Sequence, residues 1–263
     1  MRSLGVKKIR EIYDYREMIF SLVKRDLRGR YKGSVLGFFW TFLNPLLQLL
    51  VYTFVFSAVM RNNIEQYYLF LFVGLVPWIF FNTSIVNGAT CILNQGDMVN
   101  KIYFPREVLP LTTVISAFVN MLLSFVVVFL VLLLSGFGLN FIAILFLPII
   151  MLVEFIMALG IAMVFAALTV FLRDLAYVLN IIAMAWQFLS PVMYSAEMVP
   201  EQYRTIFYLN PMTPVIEAYR TILYYKQIPD LRTLVTASVF GMAVLAVGAA
   251  IFAKLQKKFA EEI

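Results

Sequence analysis

The sequence predicts an all-α integral membrane protein with six transmembrane helices. Two observations carry that prediction. The 263 residues are 62% hydrophobic and only 14% charged, with a mean hydropathy of +0.88, whereas soluble domains carry about 25% charged residues. The charges are also clustered, leaving uncharged runs long enough to cross a hydrocarbon core of about 30 Å, which takes roughly 20 helical residues. Those runs place spans at Gly33–Met60 and Gln66–Gly96, and two more from Val108 to Leu172, divided at the turn Ser135–Asn140. The fifth is Leu175–Ala196 and the sixth Thr233–Ala253. Six spans use most of the chain, so residues 1–263 read as a single transmembrane domain. No internal repeat is evident, which argues against a carrier built from inverted halves.

The net charge of +6 is distributed for a membrane and not for nucleic acid. Ten of the 21 Lys and Arg residues precede Gly33 and three follow Ala253. Lys101 and Arg106 fall between spans two and three, and Arg173 after span four. Placing both termini in the cytoplasm puts all of these inside and leaves Arg61, Arg204, Arg220, Lys226 and Arg232 outside, as the positive-inside rule requires. The first apolar run is a full span and not a short h-region, so no cleavable signal is expected. One cysteine and no histidine exclude a disulfide framework and a zinc site, and no metal is expected.

Taken in order, residues 1–32 form a cytoplasmic segment, helical over 6–31. Ile12, Tyr15, Ile19, Leu22 and Val23 make one apolar stripe, opposite Lys7, Arg10, Asp14, Glu17, Arg25 and Arg28. Such a helix is expected along the headgroups, apolar side down. The first span carries Trp40, Asn44, Pro45 and Gln48. Asn44 and Gln48 share a face and need partners in lipid, either another helix or a cavity. Residues 94–107 are longer than a plain connection needs. They set Ile102, Tyr103 and Phe104 beside Lys101 and Arg106, a surface suited to a partner protein or to the headgroup belt. Glu154 is the one carboxylate well inside a span, a functional hypothesis by default.

The fifth span supplies Asn180, Trp186, Gln187 and Tyr194 before the stretch from Ser190 to Tyr225. That stretch is too apolar for a solvated loop, yet its longest uncharged run, Thr205 to Ile216, is too short to cross. Asn210-Pro211 and Thr213-Pro214 break it further. A segment that dips into the membrane and returns fits, and broken backbone at that depth must be buried in protein or line a wet cavity. Residues 195–230 are therefore expected to be re-entrant outer gate helices. Glu217 and Arg220, at i and i+3, read as a local ion pair.

Several chemistries are missing. No G-x-x-x-x-G-K-[ST] loop occurs, so ATP cannot be held in that way. The acidic residues are scattered, so a membrane glycosyltransferase or protease is poorly supported.

The tract Tyr31-Lys32-Gly33-Ser34-Val35-Leu36-Gly37-Phe38-Phe39-Trp40 through Asn44-Pro45 resembles the first span of type 2 ABC-exporter permeases for polysaccharides. Lys101-Ile102-Tyr103-Phe104-Pro105 with Leu109-Pro110 resembles their coupling-helix region. Ser190-Pro191-Val192-Met193-Tyr194, Leu209-Asn210-Pro211-Met212 and Ala218-Tyr219-Arg220 resemble their outer gate. The resemblance runs in order over nearly the whole chain and points to the O-antigen or teichoic-acid exporter type.

It implies a homodimer in the cell (inner) membrane, paired with two separate ATPase subunits that bind ATP and Mg. This chain would be no enzyme itself and would pass a lipid-linked polysaccharide outward, among membrane lipids. Gln95, Asp97, Lys101, Ile102, Tyr103 and Arg106 would contact the ATPase. Asn210, Pro211, Glu217 and Arg220 would fall in the outer gate. Phe39, Trp40, Gln48, Glu154, Trp186, Gln187 and Tyr194 are the candidates for the channel wall. The alternatives are a permease of the same kind for drugs or lipids, or a proton-coupled carrier or channel using Glu154.

Overall fold

The computed structural model describes residues 8, 10–29, 33–59 and 64–262, and among them every regular element is helical. Helix α1 spans Arg16–Gly29, and α2 spans Trp40–Thr53, led in by a 3-10 turn and extended by a π-helical turn over Phe54–Val59. Helix α3 covers Tyr67–Thr90, the short α4 Gly96–Lys101, and α5 Val108–Leu134. After a turn come α6 (Phe141–Ile144) and α7 (Leu147–Phe171), then α8 (Leu175–Phe188), α9 (Glu201–Tyr208) and α10 (Met212–Leu223). Helix α11 covers Leu231–Leu255 and α12 Phe259–Glu262.

Among the described residues, five stretches are long and apolar enough to cross a membrane: Gly37–Ser57, Tyr67–Thr90, Val108–Leu134, Phe141–Phe171 and Leu231–Lys258. The division expected within Val108–Leu172 falls at Ser135–Asn140, where Gly136 and Gly138 take positive φ and the Asn140 side chain caps α6.

The expected fifth span is the exception. Its helix stops after 14 residues, about 21 Å at 1.5 Å per residue, short of a full crossing. Pro191 supplies no N–H and disfavours helix at Ser190, so residues 189–194 turn instead.

Helix α3 is the centre. Residues Leu69 to Val76 are all buried, the pattern of a helix apolar on every side. Helices α2, α5, α7, α8 and α10 pack around it. The tightest contact lies between α7 and α11, where Gly160 faces Gly248. Small residues there let two backbones approach, the usual basis of helix packing in lipid.

A second apolar cluster ties one end together. It joins Leu22 of α1, Val99 of α4, Phe104, Leu109 of α5, Met163 and Val170 of α7, and Phe252 and Phe259. This is the basic end of the molecule. The α1 stripe therefore faces protein and not headgroups alone: Leu22 and Val23 are buried, and Leu22 sits in this cluster. The polar pair in α2 bonds within its own helix, Gln48 donating to Asn44 Oδ1 at 3.2 Å, and Asn44 lines a small cavity shared with α3 and α5. Helix α2 with its flanking turns and helix α8 leave wide apolar faces exposed, among them Phe39, Leu50 and Phe54 on the first, Ile181, Met184 and Phe188 on the second.

Candidate functional site

At the end away from the basic cluster, α9 and α10 form a bent hairpin against the unwound end of α8. Pro191 ends the helix and leaves a run of buried backbone carbonyls, each of which must find a donor. Arg220 of α10 supplies two. Its guanidinium donates to Val192 O at 2.8 Å and Tyr194 O at 3.2 Å, and also to Phe70 O at 3.4 Å. The Tyr67 hydroxyl takes the carbonyl between them, Met193 O, at 2.7 Å. Arg220 is buried and lies over the Phe70 ring, 3.5 Å from the centroid. Gly74 leaves it room, since a Cβ there would sit 3.1 Å from Nη2.

The expected Glu217–Arg220 ion pair is replaced by this arrangement. The Glu217 carboxylate instead accepts from Tyr208, at 3.5 Å. A buried guanidinium that can reach three carbonyls satisfies more orphan acceptors than one turned toward a half-buried acid.

Asn210 is the second latch. Its amide nitrogen donates to Leu189 O (3.0 Å) and Ser190 Oγ (2.8 Å), while Oδ1 accepts from the Trp186 indole (2.8 Å) and the Met212 N–H (3.0 Å). All of its hydrogen-bonding groups are used, so α8 and α10 are pinned on one residue. Pro211 follows as the cap of α10. Trp186, Tyr194, Tyr203, Phe207 and Pro211 then line an open groove of about 560 Å³. The Trp186 nitrogen and the Tyr194 hydroxyl are bonded to protein, the latter to Phe188 O at 2.8 Å.

The remaining channel candidates do not gather there. Phe39 is exposed on the 3-10 turn that leads into α2, and Trp40 donates to Ser34 Oγ at 2.9 Å. Glu154 is enclosed within the helix bundle, where Tyr219 Oη donates to its Oε2 at 2.7 Å and Tyr219 stacks on Phe125. Through this bond Glu154 joins α7 to α10 within the single chain. Tyr67 carries no mark in the sequence, and Tyr219 only its place in the Ala218-Tyr219-Arg220 tract, because each side chain's partner lies more than sixty residues away.

At the basic end, α4 and the extended residues after it present Ile102 and Tyr103 almost bare, 57% and 87% exposed. Around them Asp97 pairs with Lys101 (3.0 Å), and Gln95 accepts from Arg25 of α1 (3.0 Å). Phe104 turns inward. Arg106 points inward too, its guanidinium on the Gln256 carbonyl and over the Phe259 ring, so it braces the segment and is not presented outward with Tyr103.

Its neighbour Glu107 is buried and accepts from Lys8 (3.0 Å) and the Gln256 side chain (2.8 Å). Burial by itself would lower the Lys8 pKa, but the hydrogen bonds and charges of Glu107 and Glu11 together outweigh it, and the net direction is upward. Among the described residues no three His, Cys, Asp or Glu side chains come together as a metal site.

A multi-span helical bundle with a latched, broken hairpin at one end and a bare apolar tip at the basic end has the build of a membrane transport subunit. The chain belongs to the ABC-2 type transporter family, whose family model matches residues 17–224. It is 36% identical over 260 residues to the O-antigen export system permease protein RfbA of Myxococcus xanthus, covering 98% of this chain and 100% of that protein. It is 32% identical over 245 residues to the O-antigen export system permease protein RfbA of Klebsiella pneumoniae, with 93% and 94% covered. It is 26% identical over 240 residues to the polysialic acid transport protein KpsM of Escherichia coli, with 88% and 91% covered.

Proposed function

We propose that this chain is the permease of an ATP-driven exporter that moves a lipid-linked polysaccharide, of the O-antigen or teichoic-acid kind, out across the cell membrane. The full-length similarity to an O-antigen permease carries the reading. Two copies of the chain would work with two ATPase subunits, which hold ATP and Mg. The bare Ile102–Tyr103 tip is the docking point for the ATPase, since an exposed aromatic beside an aliphatic is the kind of anchor a partner pocket takes up. In this arrangement both termini and the basic end are cytoplasmic, α8 with its unwound end makes the fifth of six crossings, and α9–α10 form the outer gate. The exposed apolar faces of α2 and α8, which both pack on α3, meet their counterparts in the second copy around the glycan path.

Affinity purification of the chain from its own membrane tests this reading. A stoichiometric partner carrying a G-x-x-x-x-G-K-[ST] loop is expected, and a chain that comes down alone as an intact oligomer removes the engine. Tyr103→Asp should then weaken ATPase association by roughly ten-fold or more, because it puts a charge into an apolar contact.

Glu154→Gln is expected to leave export within about five-fold, since the amide oxygen can still accept from Tyr219 and a retained hydrogen bond keeps the change near 1 kcal/mol. Loss of export from an intact ATPase complex would instead favour a charge-dependent pathway through this residue.

A further inference from the structure

We propose that Gln256, at the foot of α11, is a positioning residue that passes movement of the 94–107 segment into the last span. The proposal rests on the ATPase-driven reading above and adds a path within this chain. Gln256 is gripped twice by adjacent residues. Its main-chain carbonyl takes the Arg106 guanidinium, and its side-chain amide donates to Glu107 Oε1 at 2.8 Å. Arg106 and Glu107 close the segment whose tip carries Ile102 and Tyr103 and open directly into α5. A push on the tip therefore reaches α11 through polar bonds that require one geometry.

Three further observations make this junction stiff. Glu107 is buried, and its second oxygen has no hydrogen-bond partner among the described residues, so letting go of Gln256 would leave the carboxylate poorer still. The Lys8 ammonium sits on the same Oε1 at 3.0 Å, which brings the N-terminal segment into the junction. The Arg106 guanidinium covers the Phe259 ring, and Phe259 packs edge-on against Phe252 of α11. Above it, α11 is pressed backbone to backbone on α7 at Gly160 and Gly248, so the two helices cannot slide separately. Displacing Gln256 would move α7 and α11 as one body, and α7 carries Glu154, bonded to Tyr219 of α10.

The test separates a transmitting junction from a static brace. In the complex with its ATPase, ATP hydrolysis and glycan export are measured together for wild type, Gln256→Glu, Gln256→Leu and the exchange pair Glu107→Gln with Gln256→Glu. Gln256→Glu sets two carboxylates against each other. Glycan moved per ATP is expected to fall about ten-fold or more in both single variants while hydrolysis stays within about two-fold, in keeping with one lost hydrogen bond to a charged group. The exchange pair rebuilds the bond with its polarity reversed, and should recover the ratio to within about three-fold.

A wild-type ratio in either folded single variant, or an exchange pair that folds and recovers nothing, overturns the proposal. If Gln256→Glu fails to fold, Gln256→Leu and the exchange pair decide on the same terms. Failure of the underlying reading shows separately, as a wild-type chain that brings down no ATPase.

Discussion

Leucine at Gly248 is expected to leave no stable protein. A Cβ built on Gly248 falls on the carbonyl of Gly160, and one built on Gly160 lies 2.6 Å from the backbone nitrogen of Leu245. Overpacking in a core costs about 1–3 kcal/mol when neighbouring side chains can shift. Here the obstacle is the backbone of another helix, which can give way only by moving whole. Alanine should already lower the melting temperature in detergent by roughly 2–4 °C for each 1 kcal/mol lost in a chain of this size, and leucine should abolish the monodisperse peak in size exclusion. Gly29→Ala is the control. Its added Cβ meets nothing within 4 Å, and alanine is favoured over glycine in a helix by about 1 kcal/mol. A wild-type yield for Gly248→Leu would mean that α7 and α11 do not cross at these glycines.

The helices and their breaks were largely legible in the sequence because each is set by a local property. Uncharged length gives the spans, and Ser135–Asn140 and Pro191 carry their own turn chemistry. Hydropathy overstates the fifth span because it continues through Ser190 to Tyr194 after the backbone has stopped being helical; composition measures partitioning, and Pro191 acts on hydrogen bonding. The latches were only half legible. Asn210 and Arg220 stand out as polar residues in an apolar stretch, but the nearest charge to Arg220 in sequence, Glu217, was the wrong partner. The guanidinium goes to Val192 and Tyr194, carbonyls freed by a proline more than twenty-five residues earlier. Glu107 and Gln256, and likewise Gly160 and Gly248, are paired across long sequence separations, and no periodicity in a single sequence encodes such a pairing.

Arg220→Met is expected to stop export while leaving the ATPase docked. Methionine fills much of the volume over Phe70 but donates nothing, so Phe70 O, Val192 O and Tyr194 O all lose a charged donor. Hydrogen bonds to charged groups contribute about 1.5–3 kcal/mol each. They share one side chain, so the loss is less than the sum, roughly 4 kcal/mol, and enough to unlatch the turn after α8. Export should fall by more than about ten-fold, and a single cysteine placed in that turn should become reactive to a membrane-impermeant maleimide. Arg220→Lys should be intermediate, because a point charge cannot spread over three carbonyls as the planar fork does. Glu217→Gln is the discriminating variant. Its carboxylate bonds Tyr208, so the latch should survive with export near wild type. If Glu217→Gln matched Arg220→Met in both export and labelling, the gate would be held by the ion pair and not by the carbonyls.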